Sequence, residues 1–494
     1  MIINVSRGLL LALGAACAMP AASQVREIAP IVQGDEAIVV TQHRVSTIGG
    51  LLDYEARAGR LPIRNADTGE VRGHIYFTAY VAKAPKGKIR PLTFLWNGGP
   101  TTDSLLVHTE MFGPRRLTGA GMVDNAETLL STSDLVFMDP VGTGFSRAVE
   151  GSDKEFLSTL GDFAVTAEFV RAWRARFNAG AQPLFLGGES YGTWRVNGAT
   201  EMLEKQGIKV AGALLISGGV PGSLMPPSFQ DAMYIPARTA AAFELKRLDA
   251  DLMRDKAATM RAVDEWAANV YMPALGRVGQ LKDSERDAIA RALARFTGVR
   301  PEQIDRKTLV MTNNAYKTGL YEGDKSRVLN TYDMRIVGPE PEMPGRAGIL
   351  ASYLRGELGY STDLAYLGLE NGYMPVPGPE RQSTGMRWSY NHVEITPEVM
   401  ARMQGGGGPP LSQPWLQNAM RKDPDLRVFV AAGRYDSLNM CEGNLRMSAK
   451  LEAQLAERFT HVCYEGGHMM YRDQPTRLRM AQGIARFIAA ASNR

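Results

Sequence analysis

The pattern of hydrophobic and polar residues changes twice along this chain of 494 residues. Residues 25–90 contain alternating runs, such as His74–Val81, which indicate β-strands. After these the runs become short and continuously apolar, each ends at a glycine turn, and helix-forming stretches such as Phe163–Phe177 lie between them. Buried strands that alternate with helices predict a mostly parallel sheet with crossover helices, an α/β architecture. The apolar runs are Pro91–Trp96, Asp134–Met138, Pro183–Leu186 and Val210–Ile216.

The strand pattern stops between about residues 222 and 410, where Thr239–Phe296 is long, charged and rich in helix-forming residues. We interpret residues 222–410 as a largely helical insertion that covers one end of the sheet. It separates a first part of the core at 24–221 from a second part at 411–494. Sheet-like runs and a closing amphipathic helix return in the second part, at Leu426–Val430, Phe459–Tyr464 and Arg477–Ala491.

The N-terminus has the pattern of an export signal. Arg7 supplies a short basic region, Gly8–Ala18 is apolar, and Ala21-Ala22-Ser23 forms a cleavage site before Gln24. The apolar run is shorter than the roughly 20 residues that span a bilayer. We therefore expect a cleaved signal peptide at residues 1–23 and a periplasmic or secreted protein. The alternative is a lipoprotein anchored through Cys17, although Gly14-Ala15-Ala16 lacks the usual aliphatic residue.

Composition narrows the function classes. Hydrophobic residues make up 45% and charged residues 22%, which excludes a disordered, coiled-coil or collagen-like chain. The net charge of +4 is too small to indicate a nucleic-acid partner or an anionic membrane surface. Later segments fall short of membrane-spanning length, and the sequence carries no signal for oligomeric state. An oxidising compartment permits a bridge between Cys441 and Cys463, with two buried thiols as the alternative.

Gly188-Glu189-Ser190-Tyr191-Gly192 matches the G-x-S-x-G turn that presents a nucleophilic serine between a strand and a helix. Both flanking positions must be small because the turn is sharp and neighbouring backbone comes close. An apolar strand precedes the motif, and Thr193–Lys205 is suited to the following helix. These features predict Ser190 as the nucleophile.

A serine nucleophile needs a histidine base and an acid that orients it, and enzymes with this turn carry them in the order Ser, Asp or Glu, His. His468 follows a strand and two glycines near the C-terminus. Asp436 follows the strand that ends at Gly433 and lies 32 residues before His468, which leaves room for one helix and one strand. Asp423 and Asp425 precede that strand and belong to the wrong end of the sheet.

The negative oxygen of a tetrahedral intermediate needs two backbone donors. Tyr191, at the start of the helix after the nucleophile, supplies one N–H. The glycine turn at Asn97–Pro100 supplies the other, which we assign to Gly99.

Five motifs occur in an order that resembles the serine carboxypeptidase family, particularly its exported bacterial branch. They are Trp96–Ser104 (WNGGPTTDS), Asp139–Ser146 (DPVGTGFS), Gly188–Gly192 (GESYG), Gly433–Asn444 (GRYDSLNMCEGN) and Gly466–Tyr471 (GGHMMY). The resemblance extends from about residue 70 to the end and is weakest in the insertion. It implies an α/β-hydrolase fold and the same catalytic residues, Ser190, Asp436 and His468.

The resemblance also implies how a substrate is recognised. In this family an asparagine and a glutamate bind the free C-terminal carboxylate of a peptide, and Asn97 and Glu189 hold these positions. The sequence departs from the family pattern at two places near these carboxylate-binding residues. Thr101-Thr102-Asp103 replaces a glycine and small residues, which we expect to bring a negative charge beside the bound carboxylate. Eukaryotic members carry a second glutamate before a Gly-Pro pair, but here Met111 lies in that register and Glu110 is one residue away.

The favoured interpretation is an exported serine carboxypeptidase-like hydrolase that acts on peptides with a free C-terminus. An exported esterase or acyltransferase with the same triad is the first alternative, and a catalytically silent peptide-binding scaffold is the second. We expect no metal, because no two histidines show metal-ligand spacing. Phosphate-binding glycine motifs also do not occur, so we expect no nucleotide cofactor.

Overall fold

The computed structural model describes residues 38–219, 225–321, 324, 326–340, 343–369, 387–394, 396–397, 399–400 and 413–492. The predicted signal peptide, including Cys17, lies outside these residues. The predicted domain boundaries near residues 222 and 410 also lie outside them, so both boundaries stay predictions.

The strands follow in chain order: β1 (Val39–Thr47), β2 (Gly50–Arg64), β3 (Val71–Ala82), β4 (Leu92–Trp96), β5 (Arg115–Thr118), β6 (Gly121–Asp124), β7 (Asp134–Met138), β8 (Arg147–Ala148), β9 (Leu184–Glu189), β10 (Gly212–Ile216), β11 (Arg427–Gly433) and β12 (Phe459–Tyr464). Ten of them form one sheet with the order β1-β2-β3-β7-β4-β9-β10-β11-β12, in which β8 also pairs with β3. Strands β7 to β12 of this order pair in parallel, whereas β1, β2, β3 and β7 are joined antiparallel.

Helices cover both faces of the parallel strands, and this explains why the central strands are buried along their whole length. Every residue of β4, β7, β9 and β10 is buried. Thr159–Arg176 and Gly192–Lys205 contribute to the core on one face, and Gln474–Ser492 contributes to the core on the other. Leu215 of β10 belongs to the first core and Leu214 to the second, as expected for a strand whose side chains alternate between faces.

Strand β3 differs from the half-exposed strand that its alternating sequence indicates, because eight consecutive residues of it are buried. Aromatic side chains from the chain between β10 and β11 cover its second face. The hydroxyls of Tyr80 and Tyr353 lie 2.6 Å apart, and the ring of Tyr76 packs against that of Tyr360 at 4.9 Å. Tyrosine is suited to this interface because its ring is apolar and its hydroxyl finds a partner.

Between β10 and β11 the described residues form helices and add no strand to the sheet. These helices are Pro227–Met233, Ile235–Glu244, Lys256–Trp266, Met272–Gly276, Asp283–Thr297, Asn313–Gly319, Arg346–Ser352 and Trp415–Lys422, with π-helical turns at Ala267–Tyr271 and Tyr353–Glu357. Elsewhere the chain has α-helices at Asp153–Phe156, Cys441–Ser448 and Ala453–Ala456, and a π-helical turn at Val107–Phe112. Throughout the described part of the chain, every helix is too short or too polar to cross a bilayer.

Candidate active site

Ser190 lies in a sharp turn between β9 and the helix Gly192–Lys205. Its φ angle of 59° is in the left-handed region, which non-glycine residues adopt rarely and at a cost in energy. The Ser190 N–H donates to the Ile216 carbonyl at 2.9 Å, so the turn is attached to the end of β10. This geometry is the one that the G-x-S-x-G pattern predicts.

The two glycines of the motif are required by close backbone contacts. A Cβ atom added to Gly188 would lie 2.2 Å from the Gly192 carbonyl oxygen. One added to Gly192 would lie 2.8 Å from the Asn97 carbonyl oxygen. A larger residue at Gly188 would force the two ends of the serine turn apart, and one at Gly192 would push this turn away from the turn that carries Asn97.

Asp436 and His468 form a buried hydrogen-bonded pair. Nδ1 of His468 lies 2.7 Å from Oδ2 of Asp436, and these residues follow the neighbouring strands β11 and β12. Burial alone would lower the pKa of His468, but the charge and hydrogen bond of Asp436 outweigh it and raise this pKa above 6.5. The pairing leaves Nε2 of His468 as the nitrogen available for proton transfer.

A side chain that sequence reasoning missed also binds Asp436. Nδ2 of Asn439 donates to Asp436 Oδ2 at 2.8 Å and to the Ser217 carbonyl at 2.6 Å. The Leu438 N–H donates to the other carboxylate oxygen at 2.8 Å. Both oxygens of the Asp436 carboxylate therefore accept hydrogen bonds in addition to the one from His468.

The backbone around His468 is held by residues from distant parts of the chain. The His468 N–H donates to the Tyr332 carbonyl at 2.6 Å, and the Ser217 hydroxyl donates to the His468 carbonyl. Gly467 permits this approach, since a Cβ there would lie 2.2 Å from the Tyr332 oxygen. Tyr332 comes from the chain between β10 and β11, so this part of the chain helps to position the histidine.

A cavity of about 600 Å³ brings the predicted residues together. Its lining includes Asn97, Gly99, Glu189, Ser190, Tyr191 and His468, while Asp436 is fully buried behind the histidine. The two predicted donor segments lie side by side, because a Cβ on Gly98 would be 2.5 Å from the Tyr191 nitrogen. Gly99 and Tyr191 both line the same cavity as Ser190.

A buried arginine fixes the turn that carries Asn97. Arg195, on the helix after Ser190, donates to the carbonyls of Asn97 at 2.8 Å and of Pro100 at 3.0 Å. Asp162 balances its charge through an ion pair at 2.9 Å. The helix that follows the serine therefore also sets the position of the N-G-G-P turn, a contact that the sequence motifs did not reveal.

Asn97 and Glu189 are in direct contact. Nδ2 of Asn97 donates to Oε2 of Glu189 at 2.9 Å, and the Tyr471 hydroxyl donates to the same oxygen at 2.8 Å. Oδ1 of Asn97 accepts the Val107 N–H at 3.0 Å, which fixes the orientation of the amide. Since both donors reach Oε2, Oε1 is the oxygen of Glu189 that can carry a proton.

Burial raises the pKa of Glu189 to about 7. The charges of His468 and Arg472 and the hydrogen bond from Tyr471 oppose this rise, whereas the Glu110 carboxylate adds to it. Glu189 therefore changes protonation state near neutral pH. Perturbed acids of this kind are common at functional sites.

Glu110 reaches this network although it is one residue from the register that the resemblance implies. It lies on the π-helical turn Val107–Phe112, whose hydrogen bonds join residues five apart and so enclose one more residue than those of an α-helix. Its carboxylate binds Arg346 and Arg472, each at 2.7 Å. The altered register thus leads to a buried glutamate that acts on Glu189 through its charge rather than by a hydrogen bond from its own carboxyl.

The expectation that Asp103 brings a negative charge beside Glu189 is wrong. Thr102 lines the cavity, but Asp103 is buried behind it, where its carboxylate accepts the Leu105 N–H at 2.9 Å. Burial raises the pKa of Asp103 and of Asp139 of the second motif, whose charges interact, and the charge of Arg346 partly opposes the rise at Asp103. Asp139 in turn accepts the Ser104 N–H at 2.9 Å and the Tyr366 hydroxyl at 2.7 Å. The turn directs Asp103 into this buried cluster.

Cys441 and Cys463 form a disulfide, with Cα atoms 5.6 Å apart, which decides between the two alternatives left open by the sequence. Cys441 lies five residues after Asp436, and Cys463 lies five residues before His468. The bridge therefore joins the two chain segments that carry the acid and the histidine.

Comparison with known proteins gives a family match for part of the chain. Residues 54–208 match the sequence model of the serine carboxypeptidase family. Serine carboxypeptidase-like 33 from Arabidopsis thaliana is 30% identical over 122 residues, which is 24% of this chain and 26% of that protein. The chain thus aligns with about a quarter of the length of this curated relative. The matches confirm the resemblance to serine carboxypeptidases that the motifs indicated.

The fold is similar to that of a solved carboxypeptidase. Kex1ΔP, a prohormone-processing carboxypeptidase from Saccharomyces cerevisiae, superimposes with a TM-score of 0.56 and covers 88% of this chain and 91% of its own. The sequence identity is 17%, so this likeness concerns the fold alone. It confirms the α/β-hydrolase fold expected from the sequence.

Proposed function

We propose that this protein is an exported serine carboxypeptidase that removes single residues from the C-terminus of peptides. The observation that carries the proposal is the position of Glu189. This glutamate lines the same cavity as Ser190 and His468, is hydrogen-bonded to Asn97, and titrates near neutral pH. A protonated carboxyl beside a neutral amide donor is suited to binding a carboxylate, which can only accept hydrogen bonds.

In the proposed reaction His468 removes the proton of the Ser190 hydroxyl through Nε2 while the oxygen attacks the last peptide carbonyl. The backbone N–H groups of Gly99 and Tyr191 stabilise the negative oxygen of the tetrahedral intermediate. His468 then donates its proton to the departing amine, which leaves an acyl group on Ser190, and water releases this group by the reverse sequence. Asp436 keeps the imidazole in the tautomer with the proton on Nδ1.

Asn97 and Glu189 bind the carboxylate of the leaving residue in this proposal. One Nδ2 hydrogen of Asn97 is used by Glu189, and the second remains for the substrate. The proton on Glu189 then lies between two carboxyl groups, which share it. This arrangement places the last peptide bond, rather than an internal one, at Ser190.

Export is part of the proposal. The signal-like pattern before Gln24 and the Cys441–Cys463 disulfide support it, because disulfides persist in oxidising compartments. N-terminal sequencing of the natively produced protein tests it. A start near Gln24 supports export, whereas a start at Met1 contradicts it.

The decisive experiment compares a peptide with its C-terminally amidated form. Release of single C-terminal residues from the free peptide, with at least about tenfold slower cleavage of the amide, supports the carboxypeptidase. Equal cleavage of both contradicts it. Turnover of simple esters with no release from peptides would favour the esterase alternative, and absence of any turnover would favour the silent scaffold.

A further inference from the structure

An arginine faces the cavity next to the residues proposed to bind the substrate carboxylate. Arg472 lies four residues after His468, and both line the cavity together with Glu340. Its charge is near enough to Glu189 to oppose the rise in the pKa of that carboxyl. Arg472 therefore lies on the side of the cavity where the leaving residue would bind.

Arg472 has one fixed and one exchangeable acidic partner. Its Nε donates to Glu110 at 2.7 Å, and the Glu110 side chain is only 10% exposed and also binds Arg346. Its Nη1 pairs with Glu340, whose side chain is 32% exposed. Two arginines bind Glu110 in the protein interior. Glu340 is more exposed to solvent, so less free energy is lost when its side chain leaves Arg472.

The Arg472–Glu340 pair also lies between two cavities. Both residues line the main cavity and a neighbouring cavity of about 130 Å³. A substrate side chain that enters from the main cavity would meet this pair before the smaller space behind it. Exchange of Glu340 for another carboxylate keeps the charge of the cluster unchanged, and the planar guanidinium binds either one. A basic side chain would instead have to compete with Arg472 for Glu340 and would meet two arginines.

We propose that Arg472 is a specificity-determining residue that binds the side-chain carboxylate of an acidic C-terminal residue. When this carboxylate binds, the Glu340 side chain moves away from Arg472. The proposal rests on the carboxypeptidase function proposed above, and it names the substrate class. Peptides that end in glutamate or aspartate are the preferred substrates.

The test uses two peptides that differ only in a terminal glutamate or glutamine, measured at pH 6, where the terminal side chain is ionised. We expect the wild type to show a kcat/KM about tenfold higher for the glutamate peptide. Arg472→Gln should reduce this ratio to about one. Glu340→Gln, which leaves the Arg472–Glu110 pair in place, should increase the ratio because it removes the competing carboxylate.

Arg421→Gln is the matched control, because Arg421 forms a comparable surface ion pair with Glu452 at 2.7 Å and does not line the main cavity. It should leave the ratio unchanged. A wild-type ratio of one would overturn the specificity proposal, as would an equal loss for both peptides in Arg472→Gln. A preference for terminal lysine that disappears in Glu340→Gln would also overturn it. Because each of these results includes peptide cleavage, they differ from failure of the proposed function, in which neither peptide is cleaved.

Discussion

Asn97 donates a hydrogen bond of 2.9 Å to Glu189 across 92 positions of the chain, and both side chains line the cavity that contains Ser190. The contact joins the turn after β4 to the last residue of the adjacent strand β9. It presents one amide donor and one titratable carboxyl at the site of the proposed nucleophile. The pH dependence of the enzyme should therefore report on this pair.

We predict that KM for peptides rises as the pH increases through about 7. Burial raises the pKa of Glu189 to about 7, so the carboxyl loses its proton above this pH and then repels the substrate carboxylate. The proposed reaction needs neutral His468 as a base, so kcat should fall at low pH, and the raised pKa of His468 moves this fall towards neutral pH. Profiles of kcat and KM against pH measure the two effects separately.

Glu189→Gln keeps a hydrogen-bond donor and removes the titration, so the rise of KM should disappear while the acid limb of kcat remains. An ester substrate without a terminal carboxylate supplies the second control and should lack the alkaline rise in the wild type. Parallel profiles for the peptide and the ester would contradict the assignment of Glu189.

Replacement of the proposed nucleophile gives a second prediction. Ser190→Ala should abolish covalent labelling by a fluorophosphonate and reduce kcat by a factor on the order of 10⁴ or more, and His468→Ala should have a similar effect on kcat. Mass spectrometry of the labelled peptide identifies the modified residue. Ser284→Ala, at an exposed helical serine, is the matched control and should behave as the wild type. Labelling of the wild type at another serine would refute the nucleophile.

Asn439 gives a prediction about the acid–base pair. Asn439→Leu removes the donor to Asp436 Oδ2, which leaves more negative charge on the oxygen that binds His468. We expect kcat to fall about tenfold and its acid limb to move to higher pH, because the pKa of His468 rises further. Asn439→Asp should move the limb in the same direction and farther. A loss of kcat with an unmoved limb would mean that Asn439 only maintains local structure.

Removal of the disulfide should lower stability. Cys441 and Cys463 close a loop with a sequence separation of 22, and a bridge of this length contributes about 3 kcal/mol to the free energy of unfolding. We expect the Cys441→Ala, Cys463→Ala double variant to show this loss in denaturant titration. A reducing agent should destabilise the wild type and leave the double variant unchanged. Equal stability of wild type and double variant without reductant would contradict the prediction.

Local signals explain what could be predicted from the sequence. Short apolar runs that end in glycine turns predict the sharp turn at Ser190 and the positions of Asp436 and His468. The ends of neighbouring parallel strands meet at one edge of a sheet, so these residues come together there. The same runs predict the α/β architecture, whereas the α/β-hydrolase fold is implied by the resemblance of the ordered motifs to serine carboxypeptidases. The residues that complete the site carry no such local signal.

Contacts between residues that are far apart in the chain explain which parts of the site could not be predicted from the sequence. Tyr471 binds Glu189 across 282 positions, and Arg195 binds Asn97 across 98. The direction of Asp103 depended on the buried acceptor and donor groups around Asp139, and the position of Glu110 depended on a π-helical turn. Neither the packing around a buried acid nor one extra residue in a helical turn can be read from a motif.

The hydrogen bond from His468 to the Tyr332 carbonyl limits how the enzyme can be redesigned. The chain between β10 and β11 supplies Glu340 and Arg346 near the proposed substrate site, so it is an obvious segment to exchange for new specificity. Tyr332 belongs to the same segment, and the Asn330 side chain fixes its turn through the Tyr332 N–H at 2.7 Å and the Asp333 N–H at 3.1 Å. A chimera that replaces this segment must therefore retain residues 330–333, or it will lose the position of His468, the proposed general base, together with the old specificity.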